Sequence, residues 1–446
     1  MAVFIFIMTL LSASAQQPRL LLTTDIGGDP DDQQSLIRLM LYANEFENEG
    51  FICSASGTPG ELKEKVVRPD LVKQIIAAYG QVYPNLLQHD KNYPLPAKLQ
   101  SLIKSGNPQR GWDHVGEGND TEGSDWIIRV VDKEDERPLN ICIFGGQTDL
   151  AQALWKVKNY RTKKEYQKFI SKIRIYDIND QDHIFETIIA AHPTLFYLLA
   201  KAPEGVDKRQ GLYRGMYLGG NERLTSLKWI KNNVTVGHGA LGELYPTKTW
   251  TQPNPHGVLK EGDTPSWFFF LKNGLNNPQH PEFGGWGGRF QKHNKGYFID
   301  DIDEFDGEKN ARATVYRWRE DFQNDFSARM DWCVNNYDDA NHAPLISLNG
   351  SATNEALIIS AEQGDTIRLD ASASKDPDND SLSFEWMLYP EPEIHNWQPP
   401  LIKNNGSKAS LKVPLLDDET SLHLILKVKD NGTPALTAYR RIIIKN

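Results

Sequence analysis

Arg19–Tyr42 reads RLLLTTDIGGDPDDQQSLIRLMLY, and its two halves carry different periods. Leu20, Leu21 and Leu22 form a short apolar run that predicts a buried strand, while Leu36, Leu39 and Met40 recur at helical spacing. Between them stand Asp25, Gly27, Gly28, Asp29, Pro30, Asp31 and Asp32. The glycines allow a sharp turn, and Pro30 suits the first position of a helix. Carboxylates are thus gathered at the carboxyl end of a first strand, where open α/β sheets place their ligands.

Two readings of these acids compete. In the first, Asp29 is an N-cap, and Pro30, Asp31 and Asp32 fill a first turn where the macrodipole favours negative charge. That accounts for the later acids but not for Asp25, which precedes the glycines. In the second, the carboxylates repel one another unless a positive group joins them, and an all-oxygen donor set suits a hard divalent cation such as calcium.

The stretch resembles the N-terminal aspartate cluster of the nucleoside hydrolases. Its spelling TTDIGGDPDDQQS is similar to that of a secreted branch, the cellulose-binding proteins with a nucleoside-hydrolase-like domain. The resemblance implies a mostly parallel α/β sheet flanked by helices, with a calcium ion that grips sugar hydroxyls and the attacking water. It makes Asp25 both calcium ligand and base, Asp31 the binder of a sugar hydroxyl, and Asp32 the second calcium ligand. The loop here is two residues longer, and Asp29 has no counterpart.

Later turns extend the comparison. Gly50–Thr58 reads as a strand ending in small and hydroxyl residues, and Thr58 stands about where the hydrolases present an Asn to the sugar. Leu139–Phe144 is a buried strand turned by Gly145-Gly146-Gln147-Thr148-Asp149 into a helix. This resembles the hydrolases' Gly-Pro-Leu-Thr-Asn turn and makes the Thr148 carbonyl a calcium ligand. Glu261-Gly262-Asp263 matches a His-Asp-Pro turn whose Asp is the last ligand, so Asp263 completes the metal set of Asp25, Asp32, Thr148 and Asp263. The histidine that assists base departure in some members is Gly262 here. Glu261, His238 and His256 are the replacement candidates, and Glu261 joins Asp25 and Asp31 as a catalytic candidate.

Other stretches are read from their residues. The strand Ile173–Ile178 closes in Asn179-Asp180-Gln181-Asp182-His183, where Asn179, Gln181 and Asp182 are either sugar contacts or helix caps. The glycine-rich loop Gly111–Asp120 is either a cleft wall or a plain connector, with Trp112, His114 and Glu117 as its contacts in the first case. Phe283-Gly-Gly-Trp-Gly-Gly-Arg-Phe290 presents Trp286 and Arg289 either as a sugar-stacking platform or as a packing corner where backbone approaches closely. Ala311–Trp332 predicts an amphipathic closing helix.

Composition bounds the rest. A chain of 446 residues is long enough for two or three domains, and 49 Lys+Arg against 59 Asp+Glu gives a net charge of -10 that argues against nucleic acid as partner. Residues 1–17, MAVFIFIMTLLSASAQQ, read as a secretory signal cut after Ala15, which predicts a periplasmic or extracellular protein. Cys53, Cys142 and Cys333 are scattered and read as buried thiols. Beyond residue 340, strand-sized apolar runs alternate with turns, predicting an all-β immunoglobulin-like sandwich at 341–446 behind an α/β domain at 18–340. The turns Asp376–Asp380 and Asp430–Gly432 read as plain turns rather than calcium loops. The resemblance implies a calcium-dependent hydrolase of glycosyl bonds acting on a furanoside, N- or O-linked, with a homodimer plausible in such relatives. The alternative is a carbohydrate-binding protein on a hydrolase scaffold, holding cellulose or a related glycan.

Overall fold

The computed structural model describes residues 16–57, 65–248, 258–392, 399–416 and 420–446. Residues 1–15 of the expected leader, Thr58 and His256 lie outside these. β1 (Arg19–Thr24) forms where the leucine run predicts it and is buried throughout. It is followed by α1 (Asp31–Leu41), β2 (Glu47–Cys53), α2 (Pro69–His89), α3 (Pro96–Ser101) and β3 (Ile103–Ser105). Next come α4 (Glu122–Val131), β4 (Leu139–Ile143), α5 (Gln147–Tyr160), α6 (Lys163–Ser171), β5 (Ile173–Ile178), α7 (Phe185–Ala191) and β6 (Phe196–Ala200). β7 (Phe290–Lys292) and β8 (Phe298–Asp300) complete an eight-stranded sheet of order β3-β2-β1-β4-β5-β6-β8-β7. Every pairing in it is parallel except β7 with β8.

That order reverses direction at β1. The chain runs outward from β1 through β2 to β3, then returns to β4 on the other side, so the loops after β1 and β4 diverge and open a crevice at the carboxyl ends of these two strands. Gly145 lies two residues past β4, where nothing larger fits: a Cβ there would stand 2.5 Å from the Asp25 carboxyl carbon.

A small hairpin, β9 (Asp303–Phe305) and β10 (Glu308–Asn310), leads to the closing helices. The expected single helix over Ala311–Trp332 is two, Ala313–Tyr316 and Arg319–Asp331. The C-terminal unit has two sheets. One contains β11 (Leu357–Ser360), β13 (Ser383–Leu388), β16 (Ser421–Lys429) and β17 (Thr437–Lys445), in the order β11-β17-β16-β13. The other contains β12 (Thr366–Asp370), β14 (Lys403–Asn405) and β15 (Lys408–Lys412), in the order β12-β15-β14. Between them lies a separate apolar core that includes Leu369, Trp386, Leu411, Leu424 and Ile442. Cys53, Cys142 and Cys333 are free and buried. Among the described residues, no helix is long and apolar enough to cross a membrane.

The glycine-rich stretch proves to be the seam between the two units, which corrects the sugar-platform expectation for Trp286 and Arg289. Trp286 is 3 % exposed and packs on Phe268, Phe322 and Tyr439 with centroids 5.2, 6.0 and 6.1 Å away. Its indole N–H donates to the Tyr439 hydroxyl of β17 at 3.3 Å. Arg289 Nε lies 2.7 Å from Asp303, and that carboxylate also receives Arg317 at 2.6 Å and the Tyr389 hydroxyl at 2.8 Å. Arg441 of β17 donates back to the carbonyls of Leu275 and Gly284 at 2.9 and 2.8 Å. The glycines serve close approach: a Cβ on Gly285 would meet Asn276 Oδ1 at 2.0 Å, and one on Gly287 the Phe269 backbone at 2.5 Å.

Trp286→Ala is therefore expected to cost about 3–5 kcal/mol of stability, as for other buried aromatics cut to Ala. Urea unfolding measures it, and glycan affinity of the folded fraction is expected to stay unchanged.

Candidate functional site

The crevice at β1 and β4 holds a cavity of about 140 Å³ lined by Asp25, Asp29, Asp31, Asp32 and Asp263 on its acidic side, and by Asn179, Gln181, Lys208, Tyr213 and Arg214. Each strand end delivers its part. Asp25 follows β1 directly and is 4 % exposed. Asp31 and Asp32 occupy the first turn of α1, and Asp263 immediately precedes the short helix Thr264–Phe268. Carboxylate oxygens of Asp31, Asp32 and Asp263 all lie within 4.8 Å of one another.

Helix capping does not consume these acids. The residue before α1 is Pro30, not Asp29, and it gives no side-chain cap. Asp263 sits at the N-cap position of its helix, yet its side chain also makes no capping bond, and its Oδ2 is buried without a hydrogen-bond partner. Asp32 accepts the Thr24 hydroxyl. Burial and the mutual charges of Asp25, Asp263 and Asp31 push the Asp32 carboxyl well up, and burial with Asp31 and Asp25 does the same to Asp263. Burial, Asp29 and Asp25 raise Asp31 to about 7. Buried like charges with spare oxygens fit a hard divalent cation, whose charge would offset the repulsion and whose preference is for oxygen.

The other expected residues divide. Asn179 and Gln181 line the cavity, and Asn179 takes a left-handed backbone conformation at φ 72°, which Asn adopts more readily than most residues. Asp182 is spent on scaffolding: its Oδ2 accepts the Thr148 amide at 2.8 Å and the Thr148 hydroxyl at 2.7 Å. Thr148 lies in the first turn of α5 and also accepts the Gly111 amide at 3.0 Å. His114 does not line the cavity and pairs with the Gln109 side chain at 2.8 Å. The loop it belongs to reaches the site through Arg110 instead, whose Nη2 lies 3.1 Å from Asp25 Oδ2.

Glu261 is likewise corrected as a catalytic candidate. It is fully buried, 2.6 Å from Arg38 Nε, and it accepts the Tyr245 hydroxyl at 2.6 Å, so both oxygens are engaged in the core. His238 pairs with Asp331 at 3.1 Å. Tyr213, Arg214 and Lys208 were invisible in sequence because they sit on short 3-10 turns, Lys208–Gln210 and Leu212–Met216, with no strand-end signal. The Tyr213 ring stands 3.3 Å from where a Gly262 side chain would begin, filling the place a residue there would claim.

Residues 19–290 match the family described as cellulose-binding Sde182, nucleoside hydrolase-like domain. The chain belongs to this family. Residues 366–446 match its companion, the C-terminal domain of cellulose-binding protein Sde0182. The fold is also that of a solved nucleoside hydrolase-related hypothetical protein from Saccharophagus degradans, described as associated with carbohydrate metabolism. That chain is 33% identical with a TM-score of 0.80, over 96% of this chain and 100% of that one. Mouse clustered PcdhgC3 EC1-3 is 25% identical over 23% of this chain and 33% of that chain, and its TM-score of 0.16 carries no argument. No curated protein matches.

With Asp31 near 7 against an ordinary 3.8, the folded, metal-free protein keeps a proton that the unfolded chain releases between those values. Stability in EDTA is therefore expected to fall as pH rises from about 4 to 7. Millimolar calcium should flatten that slope, and Asp32→Asn should raise the EDTA melting temperature while abolishing the calcium effect. Thermal melts across pH with and without calcium read all three outcomes.

Proposed function

We propose that this protein is a secreted, calcium-dependent glycoside hydrolase that accepts a single furanose ring at the end of β1. The observation that carries the reading is the meeting of Asp31, Asp32 and Asp263 within 4.8 Å in a cavity of about 140 Å³. A cavity this small, well under the usual range for drug-sized ligands, suits one sugar ring rather than a length of polymer. Asp31, Asp32 and Asp263 would hold the cation, and the resemblance adds the Thr148 carbonyl. Calcium bound there supplies Lewis-acid polarisation of water and of vicinal hydroxyls.

The chain's own groups do the rest. Asp25 takes the proton from the attacking water as general base. The ring of carboxylates provides negative potential for the positive charge that develops on the sugar as the glycosidic bond lengthens. Asn179 and Gln181, which also line the cavity, orient the ring. Tyr213 and Arg214 line the cavity and are our candidates to receive the leaving group; burial raises the Tyr213 hydroxyl above its ordinary value, so it stays protonated at neutral pH. Secretion is supported by residues 1–17, whose apolar run and Ala-Ser-Ala ending have the form of a signal.

A second reading, glycan binding without turnover, is favoured by one contact. Arg110 lies against Asp25, and an arginine-paired carboxylate is a weaker base. The family is also described as cellulose-binding.

Aryl furanosides and nucleosides incubated with the calcium-loaded protein separate the two. The hydrolase reading expects product release that chelation stops and that Asp25→Asn lowers by about 10²–10⁴-fold, the usual weight of a general base. Retention of glycan with no product under any of these conditions selects the binding reading.

A further inference from the structure

Asp25 is not left to the acid cluster. Arg110 reaches it from a loop pinned on both sides: the Asn107 amide donates to both Asp149 oxygens at 3.0 Å, and the Gly111 amide donates to Thr148 Oγ1 at 3.0 Å. The guanidinium Nη2 stands 3.1 Å from Asp25 Oδ2 and 2.6 Å from the Ala55 carbonyl, while Nε lies 3.4 Å from Asp182 Oδ1. One cation thus ties the segments that follow β1, β2 and β5. The side chains of Arg110 and Asp25 are 16% and 4% exposed, so the pair is only weakly screened.

The carboxylate oxygens that converge within 4.8 Å are those of Asp31, Asp32 and Asp263, and Asp25 is outside that set. Arg110 stands between Asp25 and Asp182, while Arg214 and Lys208 line the cavity that holds the three converging acids.

We propose that Arg110 is a positioning residue that holds Asp25 outside the cation's coordination set, so that Asp31, Asp32 and Asp263 carry the ion and Asp25 faces substrate. This rests on the reading that the pocket binds a divalent cation. It divides the two duties, ligand and base, that the resemblance gives to the one residue.

Calcium titration calorimetry on the full chain tests it, with circular dichroism melts to confirm folding. The wild type is expected to bind one Ca²⁺, Asp25→Asn to shift affinity by less than about threefold, and Asp32→Asn to weaken it by about 100-fold or more, as loss of a charged ligand does. Arg110→Gln frees Asp25 to join the set and is expected to tighten binding by about tenfold, the scale of an outer partner's influence. The double variant Arg110→Gln with Asp25→Asn should return to wild-type affinity, and Arg110→Lys, which keeps the charge, should stay there. Asp25→Asn as damaging as Asp32→Asn, or an Arg110→Gln affinity no tighter than wild type, overturns this proposal and leaves the metal reading standing. No calcium heat in the wild type overturns both.

Discussion

Mutual repulsion among carboxylates forced together at the carboxyl end of β1 is the constraint that organises this molecule. Asp25, Asp31, Asp32 and Asp263 arrive from two distant parts of the chain and meet where the sheet order reverses. Such a concentration of buried like charge is unstable by itself. The surrounding structure answers it with fixed cations: Arg110 on Asp25, Arg214 beside Asp31 and Asp263, and Lys260 near Asp29 and Asp31. Gly145 is part of the same answer, because its missing side chain is the space the Asp25 carboxylate occupies.

Much of this was legible in the residues. Apolar runs of strand length located β1, β4 and β5 to within a few residues, since a strand buried on both faces must be apolar along its length, and short runs alternating with turns announced the C-terminal sheets. The acids at the end of β1 announced themselves by crowding. What failed was orientation and partnership at a distance. Glycines around Trp286 promise close approach but do not say whether the indole faces solvent or a second domain, and the answer depended on Tyr439, 153 residues away. Glu261 looked available because its partner, Arg38, lies on a helix far back in the chain. Arg110 carries no signal of its own in the sequence, because its partner Asp25 lies 85 residues away.

The two units share more than a boundary. Tyr389, Ile425 and Tyr439 of the sandwich belong to the same apolar cluster as Trp267, Phe268 and Trp318 of the α/β unit. Asp303 collects Arg289, Arg317 and the Tyr389 hydroxyl, so a single buried carboxylate draws donors from both units. A contact this apolar and this well hydrogen-bonded differs from the polar, loosely held interfaces typical of tethered domains.

That joint interior bears on ancestry. Gene shuffling can append or exchange a module only when each piece keeps its own interior intact. Here an exchanged sandwich would have to bring equivalents of Tyr389, Tyr439 and Arg441 to receive Trp286 and the Leu275 and Gly284 carbonyls. Neither half keeps its interior without the other, so a substitution at the seam is expected to need a matching change across it.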